Sequence, residues 1–169
     1  MKWVRFADPV IADDSMLLPS PKLCKYDFIV LKCNKNIIFK GFGIYASDQE
    51  VDLKVRISWI VDTKDTGSQD LTLPYNSRCH THNWHTIDFE ERGEVYLQLQ
   101  RGQQVELRVQ ALNEESRSTY YGLNSIEKNK KKYQKSACLY EDFEVIDSKK
   151  KQSSSRDFGQ FPFVLYSYS

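Results

Sequence analysis

The sequence has few cysteines, and none of them are closely spaced. The four residues, Cys24, Cys33, Cys79 and Cys138, contain no CxxC pair. A disulfide framework or a paired-cysteine zinc site usually shows such short spacings, so we expect the thiols to stay reduced, as in cytosolic proteins. With 169 residues, the chain is long enough to bury a core that needs neither disulfides nor a cofactor.

Long apolar runs, a cleavable N-terminal signal and a strong net charge are also missing. A membrane-spanning helix requires roughly 18 consecutive apolar residues, and a secretory signal combines a basic start with an apolar segment. Neither is found in the sequence. The net charge is only +1, so no overall field attracts nucleic acid or a membrane surface. We therefore expect a cytoplasmic protein that binds neither nucleic acid nor membranes.

Helical periodicity is equally scarce, because no amphipathic segment extends beyond about three turns. The aromatic content of 13% suits strands better than helices. Short alternating segments recur at intervals of roughly 8–12 residues, which is typical of sandwiches and barrels. The expected fold class is all-β, an antiparallel two-sheet β-sandwich. We expect a single domain over residues 1–169, with polar inserts near 123–137 and 147–158.

Two segments are expected to form hairpins. In residues 37–61, apolar residues alternate through the second half, which predicts a strand with one buried face. Gly41 and Gly43 predict a bulge or a close backbone approach in the first half. The second hairpin spans residues 95–111, and the polar segment 62–70 is expected to be a loop. The expected core residues come from these strands: Phe42, Val55, Ile57, Trp59, Leu97, Leu107 and Val109.

Four short motifs follow one another along the chain. They are Gly41-Phe42-Gly43-Ile44-Tyr45, a following strand through Val55, Tyr120-Tyr121-Gly122, and Gly159-Gln160-Phe161-Pro162-Phe163-Val164-Leu165-Tyr166. In this order and spacing they resemble the PHR domain, the β-sandwich module of the Pam/Highwire ubiquitin ligases and of BTB-containing adaptor proteins. The resemblance extends over about residues 5–166. It departs at Ala46, where the family usually has a glycine, and in the lysine-rich insert around Lys130.

The resemblance implies a sandwich that binds a partner protein through loops at one end. The expected function is that of a non-catalytic interaction module, an adaptor or scaffold, with ubiquitin-ligase components among its partners. The sequence contains no BTB region and no RING cysteines, so roles that depend on those regions do not transfer. Two other interpretations stay open. One is a structural component of a cytoskeletal or ciliary microtubule assembly that binds tubulin or cytoskeletal proteins, and the other is a carbohydrate-binding sandwich.

Aromatic side chains are the candidate partner-binding residues. Trp84, Tyr120 and Tyr121 are of types favoured at interface hot spots, and Gly122 is expected to allow a sharp reversal of the loop that begins at Ser118. Adjacent residues of an extended segment point to opposite sides. One tyrosine should therefore face inward, and we expect Tyr121 to face outward. The alternative is that these aromatics only close the core.

The segment Cys79-His80-Thr81-His82-Asn83-Trp84-His85 contains all three histidines. His80 and His82 would lie on one side of an extended segment and could bind zinc or copper with Cys79 or His85. Structural zinc sites usually draw paired ligands from two places, so a polar loop without metal is expected. Cys79 has no orienting third group for nucleophilic catalysis, and no phosphate-binding glycine loop is present. We expect no cofactor, no catalytic residue and no enzymatic activity.

Two lysine runs interrupt the second half of the chain, at Lys128 to Lys135 and at Lys149 to Lys151. Such runs on a neutral domain are usually solvated loops, and this is the expected role. Contact with nucleic acid or with acidic protein tails, such as those of tubulin, is the alternative.

Overall fold

The computed structural model of the chain describes residues 2–4, 17–19, 27–75, 84–123, 142–146 and 158–169. Within these ranges the chain forms thirteen β-strands and a short 3-10 helix over Glu115–Arg117. The strands are β1 (Lys2–Val4), β2 (Leu17–Pro19), β3 (Asp27–Cys33), β4 (Ile37–Tyr45), β5 (Leu53–Val61), β6 (Lys64–Leu73), β7 (Trp84–Asp88), β8 (Leu97–Leu99), β9 (Gln104–Ala111), β10 (Tyr120–Leu123), β11 (Phe143–Ile146), β12 (Phe158–Gly159) and β13 (Phe163–Tyr168).

Two five-stranded sheets form the architecture, and every described pairing is antiparallel, which confirms the all-β sandwich. The first sheet has the order β1-β13-β4-β7, with β8 also paired to β4. The second sheet has the order β11-β3-β9-β5-β6, and a small third sheet joins β12, β10 and β2. Apolar side chains from both large sheets form one buried cluster, as expected of packed sheets.

The two polar inserts predicted near 123–137 and 147–158 fall almost entirely outside the described residues. Both lysine runs lie there as well. In the part of the chain that the structure describes, no helix has the length and apolar character that crossing a membrane would require.

The glycines of β4 create a bulge and two close approaches, as the sequence predicts. The register of β4 against β13 shifts beside Gly41, whose φ is 154°. A Cβ at Gly41 would lie 2.0 Å from the carbonyl oxygen of Ile87 in β7, and a Cβ at Gly43 would lie 2.5 Å from the Phe163 ring. Neither position has room for a side chain.

The two predicted hairpins are wrong, although their strands exist. β4 and β5 lie in different sheets, and so do β8 and β9. Residues 46–52 and 100–103 therefore cross from one sheet to the other. The apolar face of a strand is buried by the facing sheet, whichever strands it pairs with in its own sheet. The alternation identifies the strands but not their partners.

The hairpin that follows β5 corrects the loop predicted over residues 62–70. β6 covers most of this polar segment and pairs with β5. Asp62 and Thr63 form the turn with φ values of 47° and 68°, and a type I′ hairpin turn needs two such positive angles. At Gly67 a Cβ would lie 2.2 Å from the Trp59 indole. β6 therefore has a glycine where an apolar side chain would otherwise point inward, and its outer face is polar. Its sequence shows little of the apolar alternation from which a strand is predicted.

The predicted core is confirmed with one exception. Six of the seven residues are buried: Phe42, Val55, Ile57, Trp59, Leu107 and Val109. Leu97 is only half-buried at the margin of the apolar cluster, and Leu99 takes the buried position in β8. The reason is the short pairing of β8, which contacts β4 over three residues and leaves one end partly exposed.

Candidate functional site

Three connections lie together at one end of the sandwich, which we call the loop end: residues 46–52, 112–119 and 160–162. They follow β4, follow β9 and precede β13. Trp84, the first residue of β7, lies at the same end, because it pairs with Tyr45, the last residue of β4.

The first two connections are joined by hydrogen bonds. The backbone N–H of Tyr120 donates to the carbonyl of Ala46 at 3.0 Å. The Ser116 hydroxyl, which is fully buried, accepts a hydrogen bond from the Lys54 N–H at 2.7 Å. These bonds hold residues 112–119 against the end of β4 and the start of β5.

A buried polar network adds the third connection. Gln160 is only 5% exposed, and its side-chain oxygen accepts a hydrogen bond from the Thr119 hydroxyl at 2.9 Å. Its backbone N–H donates to Asp27 Oδ2 at 3.0 Å, and its carbonyl accepts from the Tyr45 N–H at 3.1 Å. Such a satisfied buried network makes the local structure rigid, so Gln160 holds two strands and two connections in one arrangement.

Trp84 lies at the loop end and is half-buried. Its ring meets the Phe163 ring edge to face, with centroids 5.7 Å apart. Phe163 is itself buried and lies against Gly43. One side of the indole is therefore held by the core, while the rest can contact solvent or a partner.

The motif Tyr120-Tyr121-Gly122 is part of a strand rather than the predicted loop. β10 contains all three residues and pairs with β2 on one side and with β12 on the other. Because the chain continues extended between two neighbours, the expected reversal at Gly122 does not occur. Tyr120 is half-buried. The side chain of Tyr121 lies outside the described part, so its outward orientation stays a prediction.

The structure brings Trp84 and Tyr120 to the same place. Trp84 pairs with Tyr45, and the Tyr120 backbone bonds the next residue, Ala46. Two aromatic residues that are distant in sequence thus lie beside the C-terminal end of β4.

Of the cysteine and histidine segment Cys79 to His85, which was expected to be a polar loop without metal, only Trp84 and His85 belong to the described residues, and the rest lies outside them. Within the described ranges, no three His, Cys, Asp or Glu side chains are grouped so that they could hold a metal ion. Cys33 is buried, and burial, followed by the negative charge of Asp62, raises the pKa of its thiol to about 12. This thiol is therefore unreactive at physiological pH.

His85 is a neutral imidazole at physiological pH. It follows Trp84 in β7 and lies opposite Ile44. Burial, and to a lesser degree the positive charge of Arg92, lower its pKa from 6.5 to about 4. The protonated form is therefore disfavoured in the folded protein.

Acidification from pH 6.5 to about 4 is expected to destabilise the fold through His85. Across this window the unfolded chain binds a proton at His85 and the folded chain does not, so falling pH favours unfolding. The loss is at most about 1.4 kcal/mol per pH unit. Denaturant titrations at several pH values measure it, and His85→Gln should flatten the profile in this window. An unchanged profile in His85→Gln would contradict the assignment.

A second buried group provides a control with a different window. Asp142, at the opposite end of the sandwich, accepts hydrogen bonds at Oδ2 from Tyr166 at 2.5 Å and Tyr168 at 2.9 Å, and Lys35 Nζ lies 2.9 Å from Oδ1. Burial raises the pKa of Asp142, but the hydrogen bonds from Tyr166, Lys35 and Tyr168 together lower it by more. The net pKa is therefore below the ordinary value of 3.8. Its contribution to stability is present above that pH and lost below it, so Asp142→Asn should leave the His85 window unchanged.

Sequence reasoning did not single out Thr119, Gln160 and Asp27 as a network. The signal available was weak: Gln160 is a polar residue inside the aromatic run of the fourth motif. Its partners lie 41 and 133 residues away in the chain, so only the folded structure identifies them.

The fold and the loop end define a class of protein: an antiparallel β-sandwich that presents aromatic side chains beside connections fixed by buried polar bonds. The family model of the PHR domain matches residues 22–167, and the chain belongs to this family. The match confirms the resemblance drawn from the four motifs, and it indicates the general function of a protein-interaction module. No curated protein matches the chain.

Proposed function

We propose that this protein is a non-catalytic adaptor or scaffold that binds a partner protein at the loop end, with Trp84, Tyr120 and Tyr121 as the contact residues. The Gln160 network is the observation that carries the proposal. It joins the connections 112–119 and 160–162 to the ends of β3 and β4, and a surface ordered before binding loses less entropy when a partner docks.

The chemistry of the aromatic residues supports the same conclusion. Tyrosine and tryptophan offer a large amphipathic contact area at low entropic cost, and both Trp84 and Tyr120 are half-buried, with part of each side chain accessible. Gly122 contributes indirectly, as a residue of the strand that carries the two tyrosines. The proposal assigns no cofactor and no catalytic residue to the chain.

The proposed partner is a protein met in the cytoplasm, with ubiquitin-ligase components as the first candidates. Tubulin or another cytoskeletal protein, including those of a cilium, is the alternative. Purification of the tagged chain from its native cells, followed by identification of what co-purifies, separates these possibilities. Binding to a glycan array without any protein partner would favour a carbohydrate-binding role instead.

Alanine substitutions at the loop end test the proposed contact residues. Tyr120→Ala and Tyr121→Ala, made separately, should each be measured for thermal stability and for affinity to the purified partner. We expect at least one of them to weaken binding by about 2 kcal/mol, roughly thirtyfold, with the folded fraction matched.

Tyr168→Ala is the matched control, because Tyr168 is a partly exposed tyrosine at the opposite end of the sandwich. It should leave the affinity within about twofold of the unsubstituted chain. If both loop-end variants lose stability and neither loses affinity, the tyrosines only close the core and the proposed surface is wrong.

A further inference from the structure

The longest strand of the described structure, β6, lies at the edge of the second sheet. It has ten residues, and within the described part of the chain β5 is its only paired strand. No described backbone hydrogen bond joins its other side to the rest of the molecule. Edge strands are usually short or covered, because a free row of N–H and C=O groups can pair with another chain.

Most of this edge is regular. The register with β5 runs without a break from Gly67 to Leu73 and shifts only beyond Gly67, next to Thr66. A seven-residue stretch is long enough to pair with an added strand of typical length. Residues on one side of the stretch, Ser68, Asp70 and Thr72, are exposed, while Leu71 on the other side is half-buried against the core.

The surroundings of the edge carry negative charge. The side chain of Gln69 donates to the carbonyl of Arg92 at 3.1 Å and to Glu94 Oε1 at 2.7 Å, so the turn at residues 90–94 borders β6. This turn contains three glutamates and one arginine. Asp70 is neutralised by Arg56, with N–O distances of 2.6 and 3.0 Å, so the excess negative charge comes from the turn.

This charge distribution disfavours pairing with a second copy of the chain. A twofold antiparallel pairing of the regular stretch, centred on Asp70, would bring two acidic turns to one interface, and like charges that face each other across an interface are destabilising. A basic segment meets the opposite situation, because complementary charge favours its approach.

We propose that the edge of β6 that no other described strand pairs with, from Gly67 to Leu73, binds an extended basic segment of another protein as an added antiparallel strand. Main-chain hydrogen bonds to the edge would provide the affinity, and alternate side chains the selectivity. Basic residues on the side of Gln69 and Leu71 would meet the acidic turn, with their aliphatic stems covering Leu71, and the residues between them would lie on the side of Ser68, Asp70 and Thr72. None of the loop-end contact residues Trp84, Tyr120 and Tyr121 belongs to this edge, so the proposal stands or falls independently of the function proposed above.

The test uses a fluorescein-labelled peptide of eight residues that alternates lysine and valine, titrated into the full chain and followed by anisotropy. Two further peptides carry N-methyl groups on either all lysine or all valine nitrogens. Alternate N–H groups of a strand point to the same edge, so an added strand should tolerate one methylation pattern. The other pattern should weaken binding at least about tenfold, because several hydrogen bonds of about 1 kcal/mol are lost.

Charge-reversed variants locate the site. Glu94→Lys should weaken binding of the unmodified peptide about fivefold through lost attraction and added repulsion. Glu144→Lys, an exposed residue at the other edge of the same sheet, changes the net charge equally and should have no effect. Glu94→Gln keeps an acceptor for Gln69 and serves if the lysine variant does not fold; it should weaken binding about twofold.

Amide resonances of residues 67–73 in NMR spectra should shift on addition of the peptide. Three results would overturn the proposal. These are equal binding of both methylated peptides, equal effects of Glu94→Lys and Glu144→Lys, or binding of a glutamate and valine peptide with the same affinity. Concentration-dependent dimerisation abolished by Asp70→Lys would also overturn it, in favour of a second copy as the occupant.

Discussion

Replacing Gly41 with alanine is expected to lower the free energy of unfolding by at least about 4 kcal/mol, a large part of the stability of an ordinary domain. The added Cβ would lie 2.0 Å from the carbonyl oxygen of Ile87 and 3.1 Å from its carbonyl carbon. Both atoms belong to the backbone, so no rotamer change relieves the clash. β4 would have to move away from β7, although β13 and β8 also pair with it.

Gly93→Ala is the control that separates the backbone strain of a positive φ from the steric clash. Gly93 also has a positive φ, 76°, but a Cβ there would meet no atom within 4 Å. The control should therefore cost about 1 kcal/mol, the strain of an L-residue in a left-handed conformation. Urea denaturation of the two variants measures the difference. Equal costs would mean that β7 can move away from β4 freely, contrary to the packing described here.

Ile57→Ala is expected to cost about 2–5 kcal/mol, the range for truncating a fully buried aliphatic residue. Ile57 is 1% exposed and belongs to the apolar cluster shared by both sheets. It lies in β5, which pairs with β9 on one side and β6 on the other, so the surrounding chain has little freedom to close the cavity. Part of the loss is therefore the cavity itself rather than the removed apolar surface.

Ile60→Ala provides the matched control within the same strand. Ile60 is only half-buried and is not among the residues of the apolar cluster or those packed against it. Its truncation should cost less than about 1 kcal/mol. Denaturant midpoints of the two variants give the comparison, and a cost for Ile57→Ala within about 0.5 kcal/mol of zero would mean that its face of β5 is exposed.

Local sequence pattern was sufficient for the strands that bury one apolar face, and insufficient for their partners. The alternation around Val55 and Ile57 predicts β5, and the glycines at 41 and 43 predict the bulge in β4. Pairing is decided by contacts between distant segments, so the neighbours of β4 could not be obtained from its own residues. Residues 64–70 of β6 were missed because Gly67 and a polar outer face remove the alternation on which such predictions rest.

The aromatic residue types of the candidate site could be predicted from the sequence, but the hydrogen bonds that hold its connections together could not. Aromatic chemistry indicated Trp84, aromatic chemistry together with the PHR resemblance indicated Tyr120, and the fold places both beside the end of β4. The support beneath them depends on Gln160 and Thr119, whose hydrogen bond joins two connections separated by 41 residues. A buried amide has no local signature, since its role is defined by partners that folding brings to it.

The position of β13 has a consequence for how the protein is made. This strand, Phe163–Tyr168, lies inside the first sheet, between β1 and β4, yet it comes last in the sequence among the described strands. During synthesis β4 therefore lacks its neighbour on that side until more than a hundred further residues have been made. The first sheet cannot close before β13 has left the ribosome, and until then the exposed edge of β4 is prone to aggregation.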